Sequence, residues 1–127
     1  MHPISKILCK AYDKLHRQGQ ISFPLQERQK SAIDSVVKTV NAYYFGIQRF
    51  KTHQDKAVAY LCFIIKDHPV TDGNKRLAIY WFEIYCTIFD LKPDFSSHGL
   101  DVLAISIEKA EMGIEELMDV VKKILFP

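Results

Sequence analysis

Very little in this chain leans to one side. Lys and Arg number 17 against 15 Asp and Glu, a net charge of +2, and that near-balance excludes the basic excess of a domain built mainly to coat nucleic acid. Direct nucleic-acid binding is not expected, and any anion site must be local. With 5 Gly and 5 Pro in 127 residues, the chain is neither collagenous nor of low complexity. Its cysteines, Cys9, Cys62 and Cys86, are odd in number and far apart, which fits neither a disulfide framework nor a CxxC metal site. Buried free thiols are expected instead. The longest unbroken apolar run, Ala57 to Ile65, is about half of the roughly 18–20 residues a membrane span needs, so no membrane partner is expected. Lys6, Lys10, Asp13, Lys14 and Arg17 interrupt the start of the chain and leave no apolar core for a secretory signal. A cytoplasmic location follows as the expectation.

What is present is a composition that can bury a core, 48% hydrophobic and 12% aromatic, in a length suited to a single domain over residues 1–127. Helical spacing of apolar residues marks six segments. The first runs from Pro3 or Ile4 to Gln18, with Ile7, Leu8, Ala11 and Leu15 on one face, Pro3 in its first turn and Gly19 as its C-terminal cap. Pro24 opens the second, which carries Ile33, Val36, Val37, Val40 and Tyr44. The stretch Tyr43 to Lys51 is aromatic, short and centred on Gly46, which reads as a hairpin or extended flap. Thr52 caps a helix to about Lys66 that is apolar nearly all round and therefore central. After the loop His68–Gly73, a fourth helix covers Asn74 to Asp90 and is stopped by Pro93. Ser96 or Ser97 caps a fifth that ends near Gly113, and the sixth spans Ile114 to Leu125. The sum is an all-α bundle with one extended excursion.

The polar chemistry is concentrated in His68 to Arg76, H-P-V-T-D-G-N-K-R, between two strongly apolar helices. A helix starting near Asn74 turns its first backbone N–H groups and the positive end of its dipole toward this loop, which makes an anion site. Gly73 lets a phosphate approach the backbone. Lys75 and Arg76 add positive charge in the first turn, an unfavourable place for cations unless an anion compensates. Asp72 is a hard carboxylate of the kind magnesium takes beside substrate phosphates. His68, followed by the stiff Pro69, can accept a proton near neutral pH. Each residue also has an ordinary reading, since Asp-Gly is a common turn, Asn a common cap and Lys-Arg a common solvated pair. Trp81 and Tyr85 read as core, and His2, His16 and His98 as capping or solvated side chains.

The stretch H-P-V-T-D-G-N-K-R resembles the signature of the Fic and Doc superfamily, whose pattern is His-Pro-Phe, two variable positions, Gly-Asn, Gly or Lys, then Arg. Eight of the nine positions agree, and Val70 in place of Phe stays apolar. The resemblance extends over essentially the whole chain and implies a six-helix bundle of the Fic/Doc type with a short β-hairpin flap. It implies His68 as general base toward a target hydroxyl and Asp72 as ligand of Mg2+. Gly73 and Asn74 would form the anion hole, and Lys75 and Arg76 would hold the phosphates of ATP. The flap, Phe45, Gly46, Ile47, Gln48, Arg49 and Phe50, would clamp an extended protein substrate by main-chain pairing.

Two departures from the AMP-transferring members, Lys75 where they have Gly and Ile79 where many have a second Arg, are similar to the Doc branch. That branch implies reversed ATP and phosphorylation of a Ser or Thr on a cytosolic protein, a translation factor being the kind of target implied. Transfer of AMP to a hydroxyl (AMPylation) and a nonenzymatic nucleotide-binding module are the other two readings. No Ser or Thr is followed four positions later by Glu, so the family's inhibitory helix pattern is missing and restraint by an antitoxin-like partner is implied.

Overall fold

The computed structural model describes residues 1–96 and 98–127. Six helices and one hairpin follow in the order α1 (Pro3–Arg17), α2 (Glu27–Val40), β1 (Tyr43–Tyr44), β2 (Ile47–Gln48), α3 (His53–Asp67), α4 (Asn74–Ile88), α5 (Leu100–Lys109) and α6 (Ile114–Leu125). Helix α3 is the axis of the bundle. Every residue from Ala57 to Ile65 is buried, because α2, α4, α5 and α6 all pack on it. A helix without a polar face is stable only when so surrounded. All three cysteines are free and buried, and burial pushes the thiols of Cys62 and Cys86 up to about 12 and about 11. They are inert at neutral pH. No helix among the described residues is long and apolar enough to cross a membrane.

Helix ends decide where the site lies. At the end of α1, Gly19 has φ 74°, and its N–H reaches His16 O while that of Gln20 reaches Leu15 O, the paired closure of a Schellman cap. Pro3 sits in the first turn of α1, and the His2 ring caps it by accepting from Ile4 N at 3.1 Å. Thr52 caps α3, its hydroxyl accepting from Asp55 N at 3.0 Å.

Five boundaries differ from the sequence reading. Helix α2 starts at Glu27 rather than Pro24, because Gln29 turns back to accept the Gln26 N–H at 2.9 Å. It stops at Val40, so Tyr44 belongs to β1; Asn41 ends it by donating to Val37 O and Tyr60 Oη. Helix α4 ends at Ile88, two residues short of Asp90, where Asp90 takes the left-handed conformation with φ 53°. Helix α5 begins at Leu100 with Gly99 at its cap, so Ser96 does not cap it, and Ser97 lies outside the described residues. That helix ends at Lys109 rather than near Gly113, since Lys66 Nζ donates to the carbonyls of Glu108 and Ala110 at 3.1 and 2.6 Å and closes it early.

The hairpin is antiparallel, pairing Tyr43 with Gln48 and Tyr44 with Ile47. Phe45 and Gly46 both have positive φ, 52° and 77°, which is the tight turn that matches strand twist.

Candidate active site

His68 ends α3 in the left-handed region, φ 48° and ψ 59°, so the chain turns sharply and its ring stands exposed at the loop entrance. Pro69 and Val70 return to the core. The loop is then stapled by Asn74, whose Oδ1 accepts from Val70 N at 3.0 Å and whose Nδ2 donates to Val70 O at 2.8 Å. Both of Val70's backbone groups are thereby satisfied in the interior. The Asn74 side chain faces Val70, which leaves the backbone amides of the helix start to face the cleft. Gly73 caps α4 at φ 83° without a side-chain hydrogen bond, so the amides of the first turn remain open for an anion.

The two cations of the first turn have partners. Lys75 Nζ lies 2.9 Å from Glu108 Oε2 on α5, and Arg76 Nη1 donates to Gln20 O at 2.7 Å. Lys75, hydrogen-bonding to Glu108, holds that carboxyl below the usual carboxylate range, with His68 adding to the effect. Glu108 thus already supplies a compensating anion for Lys75. The pair is partly exposed, 42% and 35%, so it is weak enough for a phosphate to compete with it.

His68, Asp72, Gly73, Asn74, Lys75 and Arg76 all line one cleft of about 560 Å³. Glu108 and Thr71 complete it with Gly19, Gln20 and Ser22. Every lining residue is polar or glycine, a surface suited to phosphate and metal and unsuited to an apolar ring.

The hairpin is not part of this cleft. Gln29, in the first turn of α2, donates to Thr71 Oγ1 at 2.7 Å, and the hairpin follows the last turn of the same helix, about 16 Å along its axis. Arg49 and Phe50 line a different cleft, with Asp55, Val58, Glu115 and Met118, and Arg49 is tied there to Glu115 at 2.6 Å. Phe45, Gly46, Ile47 and Gln48 border neither. The segment that does border the loop is Gly19–Ser22, of which only Gly19 has a role legible in the sequence, as the cap of α1. Its backbone is strapped to α1: His16 Nδ1 donates to Ile21 O at 2.9 Å and Tyr12 Oη to Phe23 O at 2.7 Å. Gln20, Ser22 and Phe23 stay exposed. The signal was the unperiodic stretch between Gly19 and Pro24. Gln29 was legible as a polar residue one turn before Ile33 on an apolar face, whereas Glu108 lies 33 residues beyond Lys75 with no local mark.

The Fic/DOC family model matches residues 3–86. Toxin Doc of Mycolicibacterium smegmatis is 25% identical over 103 residues, covering 78% of this chain and 79% of that protein. No solved structure matches.

Proposed function

The chain belongs to the Fic/DOC family, and on that premise we propose that it is a Doc-like transferase of the toxin type that uses Mg-ATP to phosphorylate a Ser or Thr hydroxyl of a cytosolic protein. The observation that carries this reading is the convergence of His68, Asp72, Lys75 and Arg76 with the open amides of α4 on one wholly polar cleft. The amides from Gly73 to Lys75 and the two cations hold phosphate oxygens. His68, exposed at the entrance, accepts the proton of the target hydroxyl. The hydroxyl oxygen then bonds to the γ-phosphorus, the bond from that phosphorus to the bridging oxygen breaks, and ADP leaves with the electron pair.

Asp72 alone offers a carboxylate from the loop, and no cluster of three metal-ligating side chains forms among the described residues. That fits magnesium, which is usually held by one or two carboxylates plus substrate phosphates. When bound, it offsets phosphate charge. The target segment reaches the loop past the exposed side chains of Gln20 and Ser22, which border the cleft. The likeness to a protein named Toxin Doc supports a toxin restrained by an antitoxin-like partner.

The test separates phosphate from AMP. Incubated with magnesium, a cell lysate and ATP labelled at the α or γ position, the protein is expected to transfer the γ label only. Lys75→Gly is expected to shift transfer toward the α label. Transfer of the α label by the wild-type chain would establish AMPylation instead, and transfer of neither would favour a nonenzymatic binding module.

A further inference from the structure

Gln29 is 4% exposed, on the face of α2 that otherwise buries Ile33, Val36, Val37 and Val40. A side-chain amide costs free energy at such a place unless its ends are hydrogen-bonded. Both ends are. Its Oε1 accepts from the backbone N–H of Gln26 at 2.9 Å, and since a backbone N–H only donates, this contact fixes which end of the amide is oxygen. The nitrogen therefore faces Thr71, and the 2.7 Å contact between them is a donation from Gln29 Nε2 to Thr71 Oγ1. A threonine hydroxyl has one proton and two lone pairs. Gln29 occupies a lone pair and leaves the proton, which no described residue accepts. Thr71 is exposed and lines the loop cleft.

Resting on the reading of that cleft as a phosphate site, we infer that Thr71 donates its O–H to a phosphate oxygen bound there, and that Gln29 is the residue that positions it as a donor. Of the two carboxylates lining the same cleft, Glu108 is engaged by Lys75 and Asp72 is the proposed magnesium ligand, so a phosphate oxygen is the acceptor left for the proton. A hydrogen bond to a charged oxygen is about twice as strong as one between neutral groups. The tether acts on geometry too. Val70 is held by Asn74, and between Val70 and Gly73 the bond from Gln29 is the side-chain hydrogen bond that ties the loop to another element among the described residues. An apolar side chain would fill the Gln29 position with no desolvation cost. The amide is explained by what it does to Thr71.

Binding of inorganic tripolyphosphate with magnesium to the full chain, measured by calorimetry, tests this without a protein target. Thr71→Val keeps the shape and loses the hydroxyl, and is expected to weaken binding at least about tenfold. Thr71→Ser keeps the hydroxyl and should bind as the wild type does. Thr71 is exposed, so the core is untouched and this pair decides the donor on its own. Gln29→Glu separates donation from tethering. An ionised carboxylate there accepts from Gln26 N–H and from Thr71 O–H, which keeps the loop tied to α2 but turns the proton away from the cleft. In that background Thr71→Val should have no further effect on affinity, whatever the added charge does to both chains alike. Wild-type affinity in Thr71→Val, or equal losses in Thr71→Val and Thr71→Ser, would overturn the donor. A Thr71→Val effect of the same size in the wild-type and Gln29→Glu backgrounds would overturn the part assigned to Gln29. Absence of tripolyphosphate binding by the wild-type chain would overturn the phosphate reading of the cleft itself, and this inference with it.

Discussion

Two neighbouring side chains of the loop do opposite kinds of work, and single substitutions separate them. His68 is exposed at the cleft, so His68→Ala removes no packing; transfer should fall by about 10²–10⁴ with the thermal midpoint unchanged. Asn74 is buried and holds both backbone groups of Val70. Asn74→Ala leaves an N–H and a carbonyl unsatisfied in the interior, which should cost about 1–3 kcal/mol of stability by denaturant titration. A His68→Ala variant that is equally active, or an Asn74→Ala variant that is equally stable, would remove the corresponding role. The sequence showed that His68, Asp72, Lys75 and Arg76 share a loop. It did not show that Lys75 is already paired, because Glu108 reaches it only through the packing of α5 on α3 and α4.

Between elements, the contact that matters most is the seating of Gly19–Ser22 on the start of α4. Ile21 is buried and lies where a Cβ on Gly73 would fall, 2.8 Å from Ile21 Cγ1. Gly73 also has φ 83°, a conformation that costs an L-residue roughly 1–2 kcal/mol. Gly73→Ala should therefore destabilise through both strain and collision. Ile21→Ala removes the collision and leaves the strain, so the double variant should be more stable than the sum of the two single losses, a coupling that a double-mutant cycle measures. Strict additivity would show that the segment is free to move off the loop. Helix existence was legible from apolar spacing throughout, and Thr52 and Gly19 read correctly as caps because cap chemistry is local. The hairpin too was legible from Gly46 and its aromatic flanks. Its position was not, since the direction in which α2 carries the chain is set by its packing on α1 and α3, with Gln29 reaching Thr71 42 residues away in sequence.

Across the whole molecule, two carboxylates tie helices together and set its response to acid. Asp34 on α2 accepts from Ser5 Oγ at 2.6 Å and His2 N at 3.0 Å at the start of α1, and pairs with Lys38 at 2.9 Å. Ser5 is fully buried. These contacts, the Ser5 hydrogen bond first among them, hold the Asp34 carboxyl far below the usual range. Asp55, at the start of α3, pairs with Lys122 on α6 at 2.6 Å; burial acts to raise its pKa, but Lys122 and Thr52 outweigh that and lower it. A carboxyl with a depressed folded pKa binds fewer protons folded than unfolded, so its contribution is complete above the unfolded value of about 3.9 and is lost as pH falls toward the folded value. The thermal midpoint should be insensitive to these groups between about pH 5 and 8 and should drop steadily below about pH 4. Asp34→Asn keeps the shape but not the charge. It should lower the midpoint at neutral pH, by the equivalent of about 1.5–3 kcal/mol for hydrogen bonds to a charged group, and flatten the acid slope. An Asp34→Asn chain with the wild-type slope would place the acid sensitivity in the other carboxylates and reduce Asp34 to an exposed pair with Lys38.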